Sequence, residues 1–275
     1  MFKPELGVSL HTLSTSIDGK LIEAVKASKI KTLELFQRIF LKNPEEAKSL
    51  IRKLSASGIK ITSIHADFWG GVDISSSDAG IRKKSVNSAF CAIELAEEFG
   101  ADIVVLHSSI EPIAPEERDI LKENAKDSIN KIAEKCAEKG KRLAIELLPR
   151  TCLGNNTEEL IELANGLPEA TVGFCLDTNH LMDKPFTLAD TVKIFGKRLF
   201  STHLSDYDGV DERHQLPGTG VLDWNAFMKA LNQIKYAGPF NFECAFHNNE
   251  TPAECVAMLE ESYDKLLRDF KHARG

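Results

Sequence analysis

The sequence contains no long hydrophobic run and no excess of positive charge. No apolar segment approaches the length of about 20 residues that a helix needs to cross a bilayer. The beginning of the chain, MFKPELGVSLHT, lacks the basic segment, apolar core and cleavage site of a signal peptide. The formal net charge of −7 offers no general attraction to nucleic acid or to an anionic membrane. These absences predict a cytoplasmic protein without a membrane or nucleic-acid partner, and they leave a homo-oligomer open.

Motifs for disulfide frameworks, structural zinc and nucleotides are also absent. The six cysteines form no CxxC pair, and Cys175 and Cys244 lie within apolar runs. Free and mostly buried thiols are therefore expected. Neither GxGxxG nor GxxxxGKS/T follows the first strand-like run, so the sequence predicts no nucleotide cofactor.

Short β-rich runs alternate with longer amphipathic segments along the chain of 275 residues. The apolar content of 43% and the charged content of 27% are ordinary for a globular protein. Apolar residues at helical spacing, with Glu and Lys on the opposite face, predict helices over 43–57, 81–99, 115–139 and 157–167. Strands are predicted over 6–11, 32–36, 60–65, 103–107, 142–148, 172–177, 199–204 and 239–245.

Several junctions repeat one pattern, in which a helix ends, a glycine follows and a strand begins. Examples are ASGIKITSIHA, EFGADIVVLHS, EKGKRLAIELL and YAGPFNFECAF, where the glycine can adopt the left-handed conformation that closes a helix. No Pro/Gly/Ser-rich linker divides the chain. Eight β-then-α units predict a (β/α)8 TIM barrel over 1–275 as a single domain. An open doubly wound sheet is the alternative, weakened by the missing nucleotide motifs.

Charged or imidazole side chains end six of the strand-like runs. Because such groups are costly to bury without a partner, and because the carboxyl ends of barrel strands meet on one face, they predict one shared site. The residues concerned are His65, His107, Glu146, Asp177, His180, His203 and Glu243.

Four of these residues follow successive strands, the fifth to the eighth. Glu146, Asp177, His203 and Glu243 supply three carboxylates and one imidazole, a ligand set suited to Mn²⁺ or Mg²⁺, with Co²⁺ or Zn²⁺ as further candidates. Without a cation the carboxylates would repel one another, and no lysine lies at these strand ends. Singly, each acid could equally cap a helix or pair with an arginine. Together they predict one bound divalent metal.

The chain resembles the xylose isomerase-like TIM barrel superfamily, in particular its sugar isomerases and epimerases. The resemblance rests on ELLPRTCLGN, CLDTNH, HLSDYDG, ERHQLPGTGVLDW and FNFEC, which occur in this order. It implies that Glu146, Asp177, His203 and Glu243 bind one divalent metal and that His180 contacts a substrate oxygen. It also implies an enediolate mechanism in carbohydrate metabolism, in which Glu146 and Glu243 remove and return a proton from opposite faces of one carbon.

Two departures from the family pattern concern the substrate. Cys152 stands near the position where epimerases of free ketoses carry a second Glu, and His214 and Gln215 replace an Arg before the PG turn. The resemblance therefore implies a sugar or sugar phosphate as the substrate, but it implies no particular sugar. Arg150 or Arg213 would suit a phosphate or carboxylate group, and each could equally form a structural salt bridge.

A competing resemblance is to endonuclease IV-type phosphodiesterases, which hold three zinc ions with additional histidines. His65, His107, His180 and an ERH segment at 212–214 occur in comparable places. The ENTAGQG-like segment of those enzymes is absent, which favours the isomerase. A non-catalytic sugar-binding barrel is a third class. In such a protein some of the four ligand positions would be expected to carry other residues, whereas all four are intact in this sequence. Under the isomerase interpretation, residues assigned to substrate binding besides His180 are His65, His107, His214, Arg213 and Trp69.

Overall fold

The computed structural model describes residues 2–14 and 17–272. Eight parallel strands form a closed barrel in chain order, and the last strand pairs with the first. The predicted (β/α)8 barrel is confirmed, and the open doubly wound sheet is excluded. The strands are β1 Gly7–Ser9, β2 Thr32–Phe36, β3 Lys60–His65, β4 Ile103–Leu106, β5 Arg142–Glu146, β6 Val172–Asp177, β7 Leu199–Leu204 and β8 Phe240–Phe242.

Helices surround the barrel and cover its outer surface. Their apolar faces pack on the strands, with fully buried residues such as Ile51 and Leu259. Short 3₁₀ turns lie at Gln37–Phe40, Asn179–Leu181, Pro185–Thr187 and Gly196–Arg198. The α-helices are α1 Leu10–Leu13, α2 Gly19–Lys26, α3 Pro44–Ala56, α4 Ala79–Phe99, α5 Arg118–Glu138, α6 Thr157–Leu163, α7 Leu188–Phe195, α8 Trp224–Gln233 and α9 Pro252–His272.

Four strands have the bounds expected from the sequence, and four are shorter. The prediction of a strand over 6–11 is wrong beyond Ser9, because the chain turns into α1 and places His11 in that helix. Strands β4, β5 and β8 end before the predicted 107, 148 and 245, so that His107 and Glu243 each follow the last strand residue directly. The side chains predicted to share one face still do so, since each lies at or just beyond the carboxyl end of its strand.

The glycines between helices and strands behave as predicted at three of the four junctions. Gly58, Gly100 and Gly140 have φ values of 91°, 69° and 63°. The fourth junction differs, because Lys235 adopts the left-handed conformation there with φ 56°. Gly238 is required for a different reason, since a Cβ at this position would lie 2.5 Å from the carbonyl oxygen of Phe200.

The cysteines and helices agree with the remaining expectations from composition. All six cysteines are free, and Cys175 and Cys244 are buried. Among the described residues no helix is long and apolar enough to cross a membrane. The cytoplasmic location stays a prediction.

Candidate metal centre

The four predicted ligands lie close together at the carboxyl ends of four successive strands. Glu146 and Asp177 are the last residues of β5 and β6, His203 lies in β7, and Glu243 follows β8. One potential ligand atom from each side chain lies within 4.8 Å of the corresponding atoms of the others. The side chains of the first three are at most 1% exposed, and that of Glu243 is 18% exposed. The centre is therefore nearly dry and opens on the Glu243 side.

The carboxylate of Asp177 is half satisfied by the protein. Its Oδ1 accepts hydrogen bonds from the backbone N–H groups of Asn179 and His180, at 2.7 and 3.3 Å. Its Oδ2 is buried and has no hydrogen-bond partner. Burial raises the pKa of Asp177. An anchored carboxylate with a free, buried oxygen aimed at other ligand atoms fits a bound cation, which would satisfy that oxygen.

The imidazole of His203 lies between carboxylates on both of its sides. Its Nδ1 lies 3.1 Å from Glu146 Oε1 and 2.7 Å from Glu243 Oε2, and its Nε2 lies 2.8 Å from Glu34 Oε1. Burial would lower the pKa of His203, but Cys175 and the carboxylates of Glu243, Glu34 and Glu146 raise it well above its usual value. In return, His203 holds the pKa of Glu243 below its usual range against the opposing effect of burial.

Two further histidines face the other oxygen of Glu146. His65 Nε2 and His107 Nε2 lie 3.0 and 3.2 Å from Glu146 Oε2. His65 Nδ1 donates to the carbonyl oxygen of Ala66 at 2.8 Å, so its Nε2 presents a lone pair to the carboxylate when the ring is neutral. These three residues also satisfy the spacing of a metal site.

A third group forms around Glu212, which lies in the loop after β7. Its Oε1 lies 3.3 Å from His180 Nε2 and 3.0 Å from His214 Nε2. His180 Nδ1 donates to the carbonyl oxygen of Leu147 at 2.9 Å, which orients the ring. Asp177, His180 and His214 again meet the spacing of a metal site. Metal-ligating histidines usually have their second nitrogen fixed in this way by a carbonyl or a carboxylate.

Without a cation, protonated histidines would compensate the clustered acids, and this predicts a pH dependence. Burial lowers the pKa of His180, but Asp177 and Glu212 outweigh it and raise the pKa to about 10. Because the folded-state value exceeds the unfolded one, this stabilisation is complete below about pH 6.5 and is lost as the pH rises towards 10. We expect the chelator-treated protein to lose about 1.4 kcal/mol of unfolding free energy per unit of pKa elevation across that window. Urea unfolding at several pH values measures this, and a flat or rising profile would contradict it.

The loop that carries Glu212 and His214 is fastened by one buried carboxylate. Asp206 Oδ1 accepts from the backbone N–H groups of Tyr207 and Leu222, at 3.0 and 3.1 Å. Its Oδ2 accepts from Gly218 N and Trp224 Nε1, both at 2.8 Å. This accounts for the order HLSD…PGTGxLDW in the sequence, because the aspartate and the groups it binds are the two ends of one closed loop.

Replacement of Asp206 tests this role. In Asp206→Asn the amide NH₂ would face two of the four donors, and each buried donor left unpaired costs about 1–3 kcal/mol. We expect a loss of roughly 3 kcal/mol in unfolding free energy, measured by denaturant titration. Asp223→Asn is the matched control, since Asp223 caps α8 and asparagine caps helices equally well. Equal stability of the two variants would show that the Asp206 contacts contribute nothing.

The candidate metal centre lies at the bottom of a cavity of about 840 Å³. Its wall includes Trp69, whose side chain contacts Phe36 and Phe68 edge to face and is 46% exposed. Of the predicted substrate contacts, His65, His107, His180, His214 and Trp69 all line this cavity. Arg213 is not among the lining residues and faces Asp208 at 3.6 Å, with its side chain 60% exposed.

Arginine and lysine are nearly missing from this cavity. Among its described lining residues only Arg150 has such a side chain. Arg150 contacts Glu111 at 3.1 Å, Asp211 at 2.9 Å and Glu212 at 2.5 Å, so its charge is already compensated. It connects the loops after β4, β5 and β7 rather than presenting a free guanidinium to a ligand.

Sequence reasoning gave no binding role to Glu34 inside the barrel or to two residues of the cavity wall, His11 and Phe246. Glu34 reaches from β2 to β7, where its Oε1 lies 2.8 Å from His203 Nε2. Its position as an acid inside the apolar run TLELF was the available signal. His11 and Phe246 line the cavity, and nothing in their local sequence distinguishes them from ordinary loop residues.

A closed (β/α)8 barrel with clustered carboxylates and histidines at the carboxyl ends of its strands defines a class of TIM barrels equipped to bind divalent metals. The model of the xylose isomerase-like TIM barrel family matches residues 22–266 of the chain. The chain belongs to this family, as its sequence motifs implied.

Three proteins of related sequence differ in the activity that their names state. The uncharacterized protein y4fM of Sinorhizobium fredii is 31% identical over 175 residues, which cover 62% of this chain and about half, 54%, of that protein. The probable endonuclease 4 of Persephonella marina is 25% identical over 208 residues, covering 70% of this chain and 72% of the relative. The ketose 3-epimerase of Arthrobacter globiformis is 25% identical over 191 residues, covering 68% and 64%.

The solved structures share the complete fold. A D-tagatose 3-epimerase-like protein superimposes with a TM-score of 0.80 at 20% identity and covers 98% of this chain and 100% of its own. At this identity the likeness establishes the barrel alone.

Proposed function

We propose that the protein is a divalent-metal-dependent isomerase or epimerase of a sugar, acting through an enediolate. The observation that carries the proposal is the placement of the buried Glu146 and the partly exposed Glu243 beside His203 Nδ1, at 3.1 and 2.7 Å. Two carboxylates this close can serve one reacting carbon. The sugar epimerases and isomerases among the relatives support the same reaction class.

In this proposal the two glutamates transfer the proton. Glu243, on the open side of the centre, removes a proton from the carbon beside the substrate carbonyl, and Glu146 returns one from the opposite face, or the reverse. Together with Asp177 and His203 they would hold Mn²⁺, Mg²⁺, Co²⁺ or Zn²⁺. The bound cation would act as a Lewis acid that stabilises the negative charge of the enediolate. His180 would orient a substrate hydroxyl, since its ring is fixed by Leu147.

The cavity favours an uncharged substrate over a phosphorylated one. A phosphate would meet the carboxylates of Glu111, Glu212 and Glu250, which all line the cavity, and no uncompensated guanidinium or ammonium group among the described lining residues. The aromatic rings of Phe68 and Trp69 suit the apolar face of a sugar. The sequence left phosphorylation open, and these contacts support an unphosphorylated substrate as part of the proposal.

Proton exchange in D₂O tests the proposed function. Metal-reconstituted protein is incubated with a panel of free ketoses, cyclitol ketones and the corresponding phosphates, and deuterium incorporation beside the carbonyl is followed by NMR. We expect incorporation into at least one unphosphorylated substrate and none into its phosphate. Absence of exchange across the panel would contradict the proposal, and exchange only with phosphates would overturn the proposed substrate class.

A three-metal phosphodiesterase is the second candidate. The observation that favours it is the arrangement of three potential ligand groups around Glu146 and Asp177, together with the 25% identity to a probable endonuclease 4. The acidic residues at the cavity mouth and the net charge of −7 oppose it, because a nucleic-acid backbone requires cationic contacts. Metal analysis of the purified protein separates the two: three zinc ions per chain support phosphodiester hydrolysis, and one ion supports the isomerase.

A further inference from the structure

The structure contains a buried glutamate that the proposed proton transfer does not use. Glu34 lies in the middle of β2 and is fully buried. Ser63 Oγ in β3 donates to its Oε2 at 2.7 Å, and its Oε1 lies 2.8 Å from His203 Nε2 in β7. Glu34 therefore crosses the interior of the barrel directly beneath the metal centre and touches none of the other three predicted ligands at such a distance.

The two atoms that meet across the barrel form no hydrogen bond of regular geometry, and the Cys175 thiol is a further neighbour of the His203 ring. Glu34 Oε1 and His203 Nε2 are both buried, and neither forms a well-aligned hydrogen bond elsewhere. Their contact is short although its hydrogen-bond angle is poor. A buried carboxylate and a buried ring nitrogen are both costly unless one proton is shared between them. A proton on Nε2 would face Glu34 Oε1 at 2.8 Å and would satisfy both atoms.

This contact bears on which nitrogen of His203 carries the proton when the ring is neutral. With the proton on Nε2, the neutral ring presents the Nδ1 lone pair towards Glu146 and Glu243. The opposite tautomer would place an N–H group among the ligands and leave the Glu34 carboxylate without a donor from His203. Ser63 completes the arrangement, because it fixes the other oxygen of Glu34 and is itself 3.5 Å from Asn241 Nδ2 in β8.

We infer that Glu34 is a positioning residue for the metal centre: it holds His203 in the Nε2-protonated tautomer and thereby sets the affinity of the centre for a divalent cation. The inference rests on the metal centre of the proposed function and adds to it a residue that is neither a ligand nor a proton carrier. Carboxylate partners of this kind typically change metal affinity by roughly 10–100-fold when they are replaced.

Cobalt binding to the full chain tests the inference. Co²⁺ is titrated into chelator-treated wild-type protein and Glu34→Gln, and the dissociation constant and the visible absorption spectrum are recorded. We expect roughly 10–100-fold weaker binding in the variant, with an altered spectrum. Ser63→Ala, which removes the donor to Glu34 and the long contact with Asn241 but keeps the carboxylate, is expected to weaken binding less. Glu159→Gln is the matched control, since Glu159 is a buried glutamate paired with Arg118 away from the centre.

A second measurement reports the tautomer, which a merely structural role of Glu34 would not fix. In ¹⁵N spectra of the Zn²⁺-loaded wild-type protein, His203 is expected to be protonated at Nε2; protonation at Nδ1 would overturn the inference. Unchanged cobalt affinity in Glu34→Gln would overturn it while leaving the metal centre in place. Wild-type protein that binds no cobalt would instead remove the metal centre, and with it both the proposed function and this inference.

Discussion

Glu243→Gln is expected to lower turnover and deuterium exchange by roughly 10²–10⁴-fold, the usual contribution of a positioned acid–base group. Glutamine keeps the size of the side chain and one oxygen near His203, but it cannot accept the substrate proton. The effect should appear mainly in kcat, because Glu243 acts on the reacting carbon. The measurement is NMR-detected exchange with the substrate identified by the panel, at a metal concentration that saturates the variant.

The control for this variant is Glu261→Gln, an identical substitution on the exposed face of α9, the helix that follows β8. Its activity should equal that of the wild-type protein. If Glu243→Gln retains full exchange at saturating metal, Glu243 is not a proton carrier, and the proposed two-base mechanism is wrong.

Asp177→Asn is expected to abolish tight metal binding. The variant can still accept the backbone hydrogen bonds of Asn179 and His180 through its amide oxygen, so the local turn should persist. Its NH₂ group, however, would replace the free Oδ2, and an amide nitrogen carrying two hydrogens does not ligate a divalent cation. We expect at least roughly 100-fold weaker binding, at the upper end of what altered metal environments produce, and a corresponding loss of activity.

Isothermal titration with Mn²⁺ and Co²⁺ measures the effect of Asp177→Asn. Asp183→Asn, an exposed aspartate six residues later, is the control and should leave binding unchanged. Retention of wild-type affinity by Asp177→Asn would place the cation elsewhere, for example with His65 and His107 at the other oxygen of Glu146.

The barrel could be predicted from local patterns, because each βα unit is specified by a short segment. Apolar runs with bounds such as 60–65 and 172–177 set the strands, and glycines such as Gly100 mark the ends of helices. The chain order of the strands then places all carboxyl ends on one face. The convergence of Glu146, Asp177, His203 and Glu243 follows from that topology alone, which is why sequence reasoning could find it.

Contacts that depend on loop conformation could not be predicted in the same way. Arg150 was one of two arginines considered as anion contacts, but the acids that surround it come from segments about 40 and 60 residues away in sequence. The first strand was predicted to extend to residue 11, because the apolar residues continue into LHTL. Tertiary packing instead places LHTL in a helix, and the strand ends at Ser9. The contact between Glu34 in β2 and His203 in β7 crosses the interior of the barrel, so no local sequence pattern predicts it.

The hydrogen bonds of Asp206 that close the loop after β7 also bear on how new substrate preferences could arise in this protein. Asp206 and Gln215 pair through two backbone hydrogen bonds, and Asp206 holds the segment that returns to α8. The residues between them form a loop whose tip, at Val210, is 80% exposed. Changes of length or sequence at such a tip are tolerated when the base is fixed. The same loop carries Glu212 and His214, which line the cavity. Changes at its tip can therefore shift these two side chains while the barrel and its acids stay intact, and directed evolution of substrate preference would begin there.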